Sequence, residues 1–469
     1  MAISPPLPAP SYHGRGTDQG PRTDQEPGTK DQGPSVLFGW WRAADRDAQR
    51  ALMAASLGWM LDAFDIMLYS MLLASIVTEM RLTKGEAGLL GSVTLLASAA
   101  GGLMFGVIAD RAGRTRALMG SIALYSVFTA LCGTASSFAQ LAIFRICLGV
   151  GMGGEWASGA ALVSETWPAQ HRGKAFGFMQ SFWAIGYGAA ALATALVLPR
   201  YGWRAVFFVG ALPALFTLWI QRNVKEPEIW RQRKFGPRTT DLPGTRDLPA
   251  ARDLPGTRDL ASTGGPAHRF TDAFRGPLGK VTLAVTLMNA CTMFGWWGLN
   301  LWVPAYLSMP PAQGGIGLST YATSGLVFAM QVGMWFGYVT FGFISDSVGR
   351  KRAYIAYLIV AAFLLPLYGF VRLPLVLLAL GPFVAFFGTG YYSGFGPLTA
   401  ELYPTTIRAS AQGFTYNIGR VASAAAPFTV GTLAETRGFA PAFAITGAAF
   451  LLAAVCWFGI PETMGRELE

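Results

Sequence analysis

Apolar side chains run along this chain in blocks of about twenty, the length that carries an α-helix across a hydrocarbon core. Six blocks lie at 52–76, 87–109, 117–136, 138–164, 175–198 and 205–221, and six more at 281–307, 320–345, 353–371, 374–397, 409–434 and 440–460. The longest polar stretch, 222–280, separates the two sets. It contains the hexads Asp241-Leu-Pro-Gly-Thr-Arg246, Asp247-Leu-Pro-Ala-Ala-Arg252 and Asp253-Leu-Pro-Gly-Thr-Arg258. A proline every sixth residue rules out helix and sheet alike. The stretch reads as a low-complexity tether. The first 35 or so residues are rich in Pro, Gly, Asp, Gln and Thr and have too little apolar surface to offset the entropy of ordering. An amphipathic stretch around Trp40-Trp41-Arg42 is expected to meet the membrane surface. The pattern therefore predicts a disordered tail (1–50), a six-helix half (51–221), a linker (222–280), a second six-helix half (281–460) and a short tail (461–469).

Composition agrees. Of the 469 residues 52% are hydrophobic and 13% charged, where an average soluble domain carries roughly a quarter charged. So much apolar surface needs a bilayer as solvent, which predicts an all-α polytopic membrane protein. The net charge of +10 requires no nucleic acid. Lys and Arg gather at 110–116, 171–174, 222–238, 350–352 and 408, all on one side of the membrane. The other side has scattered charges: Arg81, Lys84, Arg200, Arg204, Arg372 and Arg437. By the positive-inside rule both termini and the linker are cytoplasmic, in a monomeric multi-pass protein of the cell membrane.

Cys132, Cys147, Cys291 and Cys456 fall within apolar blocks without metal-ligand spacing, and read as packing residues. His13, His171 and His268 lie outside the blocks. No metal, no cofactor and no intramembrane histidine are expected, and no nucleophile–histidine pair suggests an enzyme. The first apolar block follows roughly fifty polar residues, unlike a signal peptide.

Two motifs recur at one offset. Gly106-Val-Ile-Ala-Asp110-Arg111-Ala-Gly113-Arg114-Thr-Arg116 returns as Gly342-Phe-Ile-Ser-Asp346-Ser-Val-Gly349-Arg350-Lys-Arg352. Glu165-Thr-Trp-Pro168…Arg172…Gly177-Phe178 returns, at the same distance along the chain, as Glu401-Leu-Tyr-Pro404…Arg408…Gly413-Phe414. The chain is an internal duplication. Twelve helices and two copies of G-x-x-x-D-x-x-G-R-x-R resemble the major facilitator superfamily of secondary transporters. The closing Pro461-Glu462-Thr463-Met-Gly465-Arg466 resembles the end of many members. The likeness implies two pseudo-symmetric six-helix halves around a central cavity, rocking to give alternating access.

Finer likenesses point to the metabolite:proton symporters. Asp62-Ala-Phe-Asp65 is similar to the D-G-[FY]-D of aromatic-acid symporters, with Ala63 in place of glycine. Gly153-Gly154-Glu155-Trp156 and Tyr416-Asn417-Ile-Gly419-Arg420 look more like the sialate branch. The resemblance implies proton-coupled uptake of a small organic anion: a monocarboxylate, an aromatic acid or a sialate. Proton-coupled efflux is the alternative, and Arg420 argues against it because carriers of cations use cavity acids without a central arginine. A sensor or scaffold on a transporter fold would carry a folded cytoplasmic domain, which the low-complexity tails do not suggest.

Five acidic or arginine side chains lie well inside the predicted spans: Asp62, Asp65, Arg145, Glu155 and Arg420. Each costs roughly 2.5–3.5 kcal/mol near a helix centre unless it pairs or lines a wet cavity. Asp62 and Asp65 share one helix face, about 15 and 20 Å from the helix start. As a pair they would suppress each other's ionisation and carry a proton together; otherwise one caps a helix break or pairs with an arginine. Arg420, at similar depth, either binds a substrate carboxylate through its fork or serves as fixed counter-ion to the pair. Arg145 resembles the superfamily's helix-4 motif associated with proton coupling, or tethers a neighbouring helix. Glu155 lies ten residues on and about 80° around the helix, so it is expected in a charge network at the cytoplasmic side. Trp296, Trp297, Asn300, Tyr391, Tyr392, Gln180, Asn289, Gln331 and Asn417 either line the cavity or pack. The repeated loops read as gates: Asp110 with Arg114 and Arg116, Asp346 with Arg350 and Arg352, together with Glu165, Arg172, Glu401 and Arg408. Their ion pairs are expected to hold the halves together and release when the cavity opens inward.

Overall fold

The computed structural model describes residues 39–42, 44–167, 171–228, 230–231, 270–404 and 407–464. The expected tail over 1–38, the hexads of the linker, His13, His268 and residues beyond 464 lie outside them, as does the side chain of Arg172. The chain divides into two compact units, Met1–Arg42 and Ala43–Glu469. In the first, Gly39–Arg42 forms one helical turn, with Trp40 and Trp41 edge to face at 5.8 Å.

The second unit is helical, with no strand among the described residues. Its first half comprises α1 (Arg46–Glu79), α2 (Lys84–Ala112), α3 (Arg114–Cys132), α4 (Phe138–Thr166), α5 (Arg172–Val209) and α6 (Pro213–Asn223). The second comprises α7 (Gly276–Ser308), α8 (Thr320–Val348), α9 (Arg350–Phe370), α10 (Pro374–Thr389), α11 (Phe395–Leu402), α12 (Arg408–Ser423), α13 (Ala425–Thr436) and α14 (Phe439–Cys456). Ten described helices are long and apolar enough to span a membrane. One of them, Gly173–Asn223, crosses twice, because Gly202 at φ 75° turns the chain back. The remaining crossing is α12 with α13, interrupted at Ala424. The architecture is twelve spans in two six-helix halves.

Polar residues start and stop these helices in predictable ways. Asp45 caps α1 by accepting the Ala48 N–H at 2.7 Å. Thr83 and Glu86 form a reciprocal capping box on α2. Ser137 and Ser319 cap α4 and α8. Within the first half, α2 and α4 pack backbone to backbone. A β-carbon on Gly149 or Gly153 would collide with the carbonyls of Thr94 or Ser98, so small residues let the two helices approach.

The interface between halves repeats the internal symmetry. α2 packs on α13, and α8 packs on α5, which are second on eleventh and eighth on fifth spans. Call the face where α1 begins and α14 ends the terminal face, and the opposite one the distal face. Most of the hydrogen bonds that join the halves among the described residues lie toward the distal side. Ser70 Oγ donates to the Asn300 and Leu301 carbonyls at 2.7 and 2.9 Å, and the Tyr187 hydroxyl to Asn300 O at 3.1 Å. The Phe428 N–H donates to Ser92 Oγ at 3.2 Å. At the rim, Lys84 Nζ donates to the carbonyls of Gln313 (2.7 Å) and Ala434 (3.3 Å), and the Gly85 N–H to Glu435 Oε2 (3.3 Å). Here the start of α2 meets the end of α13, each offering a charge that suits the other's helix dipole.

This rim sets a first expectation. Charge-assisted hydrogen bonds contribute about 1.5–3 kcal/mol each, so Lys84→Ala should open the distal seam more often. Maleimide labelling of Ser92→Cys, hidden against Phe428, should become roughly tenfold faster in the Lys84→Ala background. Unchanged labelling would show that the rim does not hold the seam.

Candidate functional site

Asp62 and Asp65 are both buried on α1, yet they face different partners. Asp62 looks across the interface to Arg420 of α12, and Glu155 of α4 completes that group. The field of one guanidinium acts on both carboxyls, and the two carboxyls act on each other. Asp65 turns into the first half, against the turn at Gly210, where a β-carbon would lie 3.1 Å from its Oδ1. It is within the charge range of Arg145. Arg145 is wholly buried; its Nε donates to Thr94 Oγ1 at 3.0 Å, and its guanidinium sits 4.1 Å from the centroid of the Tyr69 ring.

Glu155 is therefore not part of a network at the terminal face, as its distance from Arg145 suggests. Gly58 explains why. It lies one turn before Asp62, and a β-carbon there would come within 2.7 Å of Glu155 Oε1. The missing side chain admits the carboxyl between α4 and α1, on the level of Asp62. Helix spacing gives the angle between Glu155 and Arg145 but not which neighbour each faces.

Aromatic rings surround this group. Arg420 lies over Tyr416, 5.4 Å from its centroid, and Tyr416 stacks on Trp156 at 5.4 Å and 21°. From Trp156 the rings continue through Trp59 (4.7 Å), Trp183 (4.6 Å) and Trp296 (5.7 Å), with Trp297 and Tyr392 beside the last. The belt passes from one half to the other twice. Among the described residues, the buried indole N–H groups of Trp59, Trp183 and Trp296 and the terminal nitrogens of Arg145 find no acceptor, and both oxygens of Glu155 and Asp62 Oδ2 find no donor. A buried polar group left this way costs roughly 1–3 kcal/mol. Several such groups converge where the halves meet, where water or a bound molecule can satisfy them.

Other expected contacts land elsewhere. Asn300 lies in the distal seam; its amide donates to Trp296 O at 3.0 Å and its carbonyl takes the bonds from Ser70 and Tyr187. Tyr391 points into the second half, toward Phe450 and Tyr354, whereas Tyr392 edges Trp296. Asn289 ties α7 to α12 through the Thr415 carbonyl at 3.0 Å. Gln331 faces Gly188 of α5, and Gln180 lies beside Tyr338 of α8. Asn417 donates to Gly413 O at 2.9 Å, with its Oδ1 toward Gly102 of α2.

The repeated loops behave differently from the expectation of a latch between halves. Arg114 pairs with Asp110 and Glu165, both at 2.8 Å, and all three belong to the first half. Arg350 pairs with Asp346 and, at 3.1 Å, with Glu401, all in the second. The ion pairs brace each half internally. Arg116 and Arg352 are exposed, and Arg408 Nε donates to Tyr403 O at 3.2 Å. A further repeat now emerges. Glu226 accepts the N–H groups of Thr115 and Arg116, both at 3.1 Å, at the start of α3. Glu462, displaced from it by the offset of the repeated loops, accepts those of Arg350 and Lys351 at 2.9 and 3.1 Å at the start of α9. Both sit where Gly113 (φ 119°) and Gly349 (φ 100°) leave no room for a β-carbon. Burial pushes the Glu462 carboxyl up, but the N–H groups of Met464, Lys351, Arg350 and Thr463 outweigh it and hold it below its usual range. The offset is visible in the sequence; a lone glutamate in polar surroundings does not stand out.

Known proteins share this architecture. The profile of the Major Facilitator Superfamily matches residues 55–330 and 285–468. The chain is 30% identical to the sialic acid transporter NanX of Escherichia coli, over 90% of this chain and 96% of that one. It is also 30% identical to the cis,cis-muconate transport protein of Acinetobacter baylyi, over 89% and 94%. Its fold is similar to a partially occluded inward-open structure of the E. coli xylose transporter XylE, with a TM-score of 0.69 at 19% identity, over 90% of this chain and all of that one.

The loop geometry predicts unequal roles for the two acids on Arg114. The Glu165 side chain is 16% exposed and that of Asp110 74%. Glu165→Gln leaves a buried guanidinium short of its main partner and should cost about 3–5 kcal/mol, against at most about 1 kcal/mol for Asp110→Asn. Denaturant unfolding in detergent measures both, and equal losses would contradict the assignment.

Proposed function

The chain belongs to the major facilitator superfamily, and on that footing we propose that it is a proton-coupled symporter importing a small organic carboxylate. The terminal face is then cytoplasmic, and the halves rock to expose the site alternately. The observation that carries the reading is Arg420, buried between the halves opposite Asp62 and Glu155 and next to a belt of aromatic rings. A guanidinium keeps its charge and offers a fork that matches a carboxylate. Three indole N–H groups without acceptors lie in the adjoining belt, and its ring faces suit a flat or compact organic body.

The mechanism follows from charge. With the cavity empty, Arg420 is neutralised by the acids that face it. An incoming carboxylate takes the guanidinium, and an acid left alone in a desolvated place is far cheaper neutral than ionised. Proton binding at Asp62, whose charge acts in turn on Asp65, therefore accompanies substrate binding. Asp65 lies within the charge range of both Asp62 and Arg145. Muconate and sialate, named for two relatives, are carboxylates of contrasting shape, so the acid group is the shared element. Efflux of cations gains nothing from a central guanidinium, which would repel them.

Purified protein in liposomes should accumulate 4-hydroxybenzoate or N-acetylneuraminate when the outside is made acidic, and a protonophore should abolish the accumulation. Uptake of these acids that ignores the protonophore would remove proton coupling. Arg420→Lys keeps the charge but loses the fork, and should weaken apparent affinity by roughly tenfold or more, one charge-assisted hydrogen bond's worth. Unchanged affinity would show that the fork does not hold the substrate.

A further inference from the structure

Resting on that reading of the site, we infer that the indoles of Trp59, Trp183 and Trp296 form a donor-only wall that reads the far end of the substrate. It selects a flat monocarboxylate whose other end carries a neutral hydrogen-bond acceptor, such as a ketone or lactone carbonyl or a ring nitrogen. The three tryptophans come from α1, α5 and α7, so both halves contribute. Trp183 is the middle one, its ring centroid 4.6 Å from that of Trp59 and 5.7 Å from that of Trp296. They are only 3%, 3% and 5% exposed, and among the described residues none of their N–H groups finds an acceptor.

Filling space does not require this composition. Phenylalanine packs as a ring with no polar atom to bury, whereas a buried indole N–H normally finds a partner. Trp203, Trp230 and Trp302 show that form in this chain, donating to Glu79 Oε2, Asp110 O and Pro427 O at 2.7, 2.8 and 2.9 Å. Three indoles in mutual contact, all without acceptors where the halves meet, are donors held ready for a ligand.

Their chemistry defines the group they take. An indole nitrogen donates and cannot accept, so the group must be an acceptor. A body covered in hydroxyls brings hydrogens that this wall cannot receive. The group must also be neutral. Of the five charged side chains in mid-span the cations are Arg420 and Arg145. Arg420 takes the substrate carboxylate, and Arg145 is engaged inside the first half, its Nε on Thr94 Oγ1 and its guanidinium against the Tyr69 ring. A second ionised carboxylate would be buried with no cation of its own, at a heavy cost. Placement fits as well. Trp59 stands three residues before Asp62, on the same face of α1, and Asp62 looks across to Arg420. From Trp59 the rings lead on through Trp183 to Trp296, so a ligand held at Arg420 lays its body along them. A site built on such a bond rejects an analogue that lacks the acceptor, because its own donors are then left unpaired.

The test uses the full chain in liposomes and proton-driven uptake of labelled 4-hydroxybenzoate, whose phenol oxygen can accept. The competitors are 4-acetylbenzoate, the similarly shaped but apolar 4-isopropylbenzoate, and terephthalate with its second carboxylate. 4-Acetylbenzoate should inhibit at roughly tenfold lower concentration than either of the others, about one hydrogen bond's worth. Equal inhibition by 4-isopropylbenzoate, or inhibition by terephthalate as strong, overturns the inference. Uptake of N-acetylneuraminate but not of 4-hydroxybenzoate also overturns it and leaves proton symport intact; no proton-driven uptake of either acid is instead a failure of the parent reading. Trp183→Phe keeps a ring and removes the N–H, and should bring the ratio between the acetyl and isopropyl competitors close to one. Because that ratio compares two ligands on one protein, a general loss of active carrier does not mimic the effect. A ratio that stays at the wild-type value in Trp183→Phe, Trp59→Phe and Trp296→Phe alike overturns the role of the indoles. Where Trp183→Phe does not fold, the wild-type ratio and the other two variants decide.

Discussion

Everything in this molecule answers to the cost of charge in hydrocarbon. Each ionisable group near a span centre costs roughly 2.5–3.5 kcal/mol on insertion scales, so a chain keeps such groups only where they compensate one another. Here Asp62, Asp65, Arg145, Glu155 and Arg420 are all buried, and they fall into two sets. Asp65 and Arg145 lie inside one half; Asp62, Glu155 and Arg420 straddle both. The first set lies within one packed half, so its geometry need not change when the halves move. The second is balanced only across a moving interface. That difference makes the second set responsive to what enters the cavity, and makes α1, which carries an acid of each set, the element through which the two communicate.

The same economy shapes the terminal face. Arg114 and Arg350 each have two acids, one nearly solvent-exposed and one tucked under a helix end, and every partner belongs to the same half. Glu226 and Glu462 close the construction by capping α3 and α9. Each half becomes a braced body, and on the proposed rocking motion the cost would fall not on these ion pairs but on the distal seam. There, the bonds run from Ser70, Lys84 and Ser92 to backbone or helix-end groups. Its two charges, Lys84 and Glu435, sit at the rim within reach of water, and its deeper bonds join neutral groups, so the seam can part and re-form without stranding a buried ion.

The parts of this picture that are legible in the sequence are those that stand out against an apolar background. Twelve blocks, a repeated loop and five lone charges need only counting. Partners are another matter. That Arg114 pairs with Glu165 inside one half depends on how α2, α3 and α4 pack, and a motif shared by both halves reads equally well as a latch between them. Asn300 reads as a ligand contact because an amide in an apolar helix is conspicuous; it is satisfied by Trp296 one turn back on its own helix. Glu155 is misplaced by sequence reasoning because helix geometry fixes its direction relative to Arg145, while the vacancy that receives it is made by Gly58, on another helix far away in the chain. Trp59 and Trp183 give no signal, since an isolated tryptophan in a span is ordinary until its neighbours are known.

The duplication separates architecture from chemistry in a way neither half does alone. Spans four and ten begin at Phe138 and Pro374, and spans five and eleven at Arg172 and Arg408, each pair at the offset of the repeated loops. Carried across at that offset, the loop residues meet their own kind: Asp110 and Asp346, Arg114 and Arg350, Glu165 and Glu401, Glu226 and Glu462. The charged residues of the site do not. Arg145 falls on Gly381, Glu155 on Tyr391 and Arg420 on Ala184. Bracing has to be the same in both halves, because both must move as bodies. A site that binds one anion must be asymmetric, because two-fold copies of a guanidinium and of its acids would hold one another and leave no charge for a ligand to claim. Positions that survive the repeat are thus the frame, and positions that break it at mid-span are where the buried charges of the candidate site are gathered.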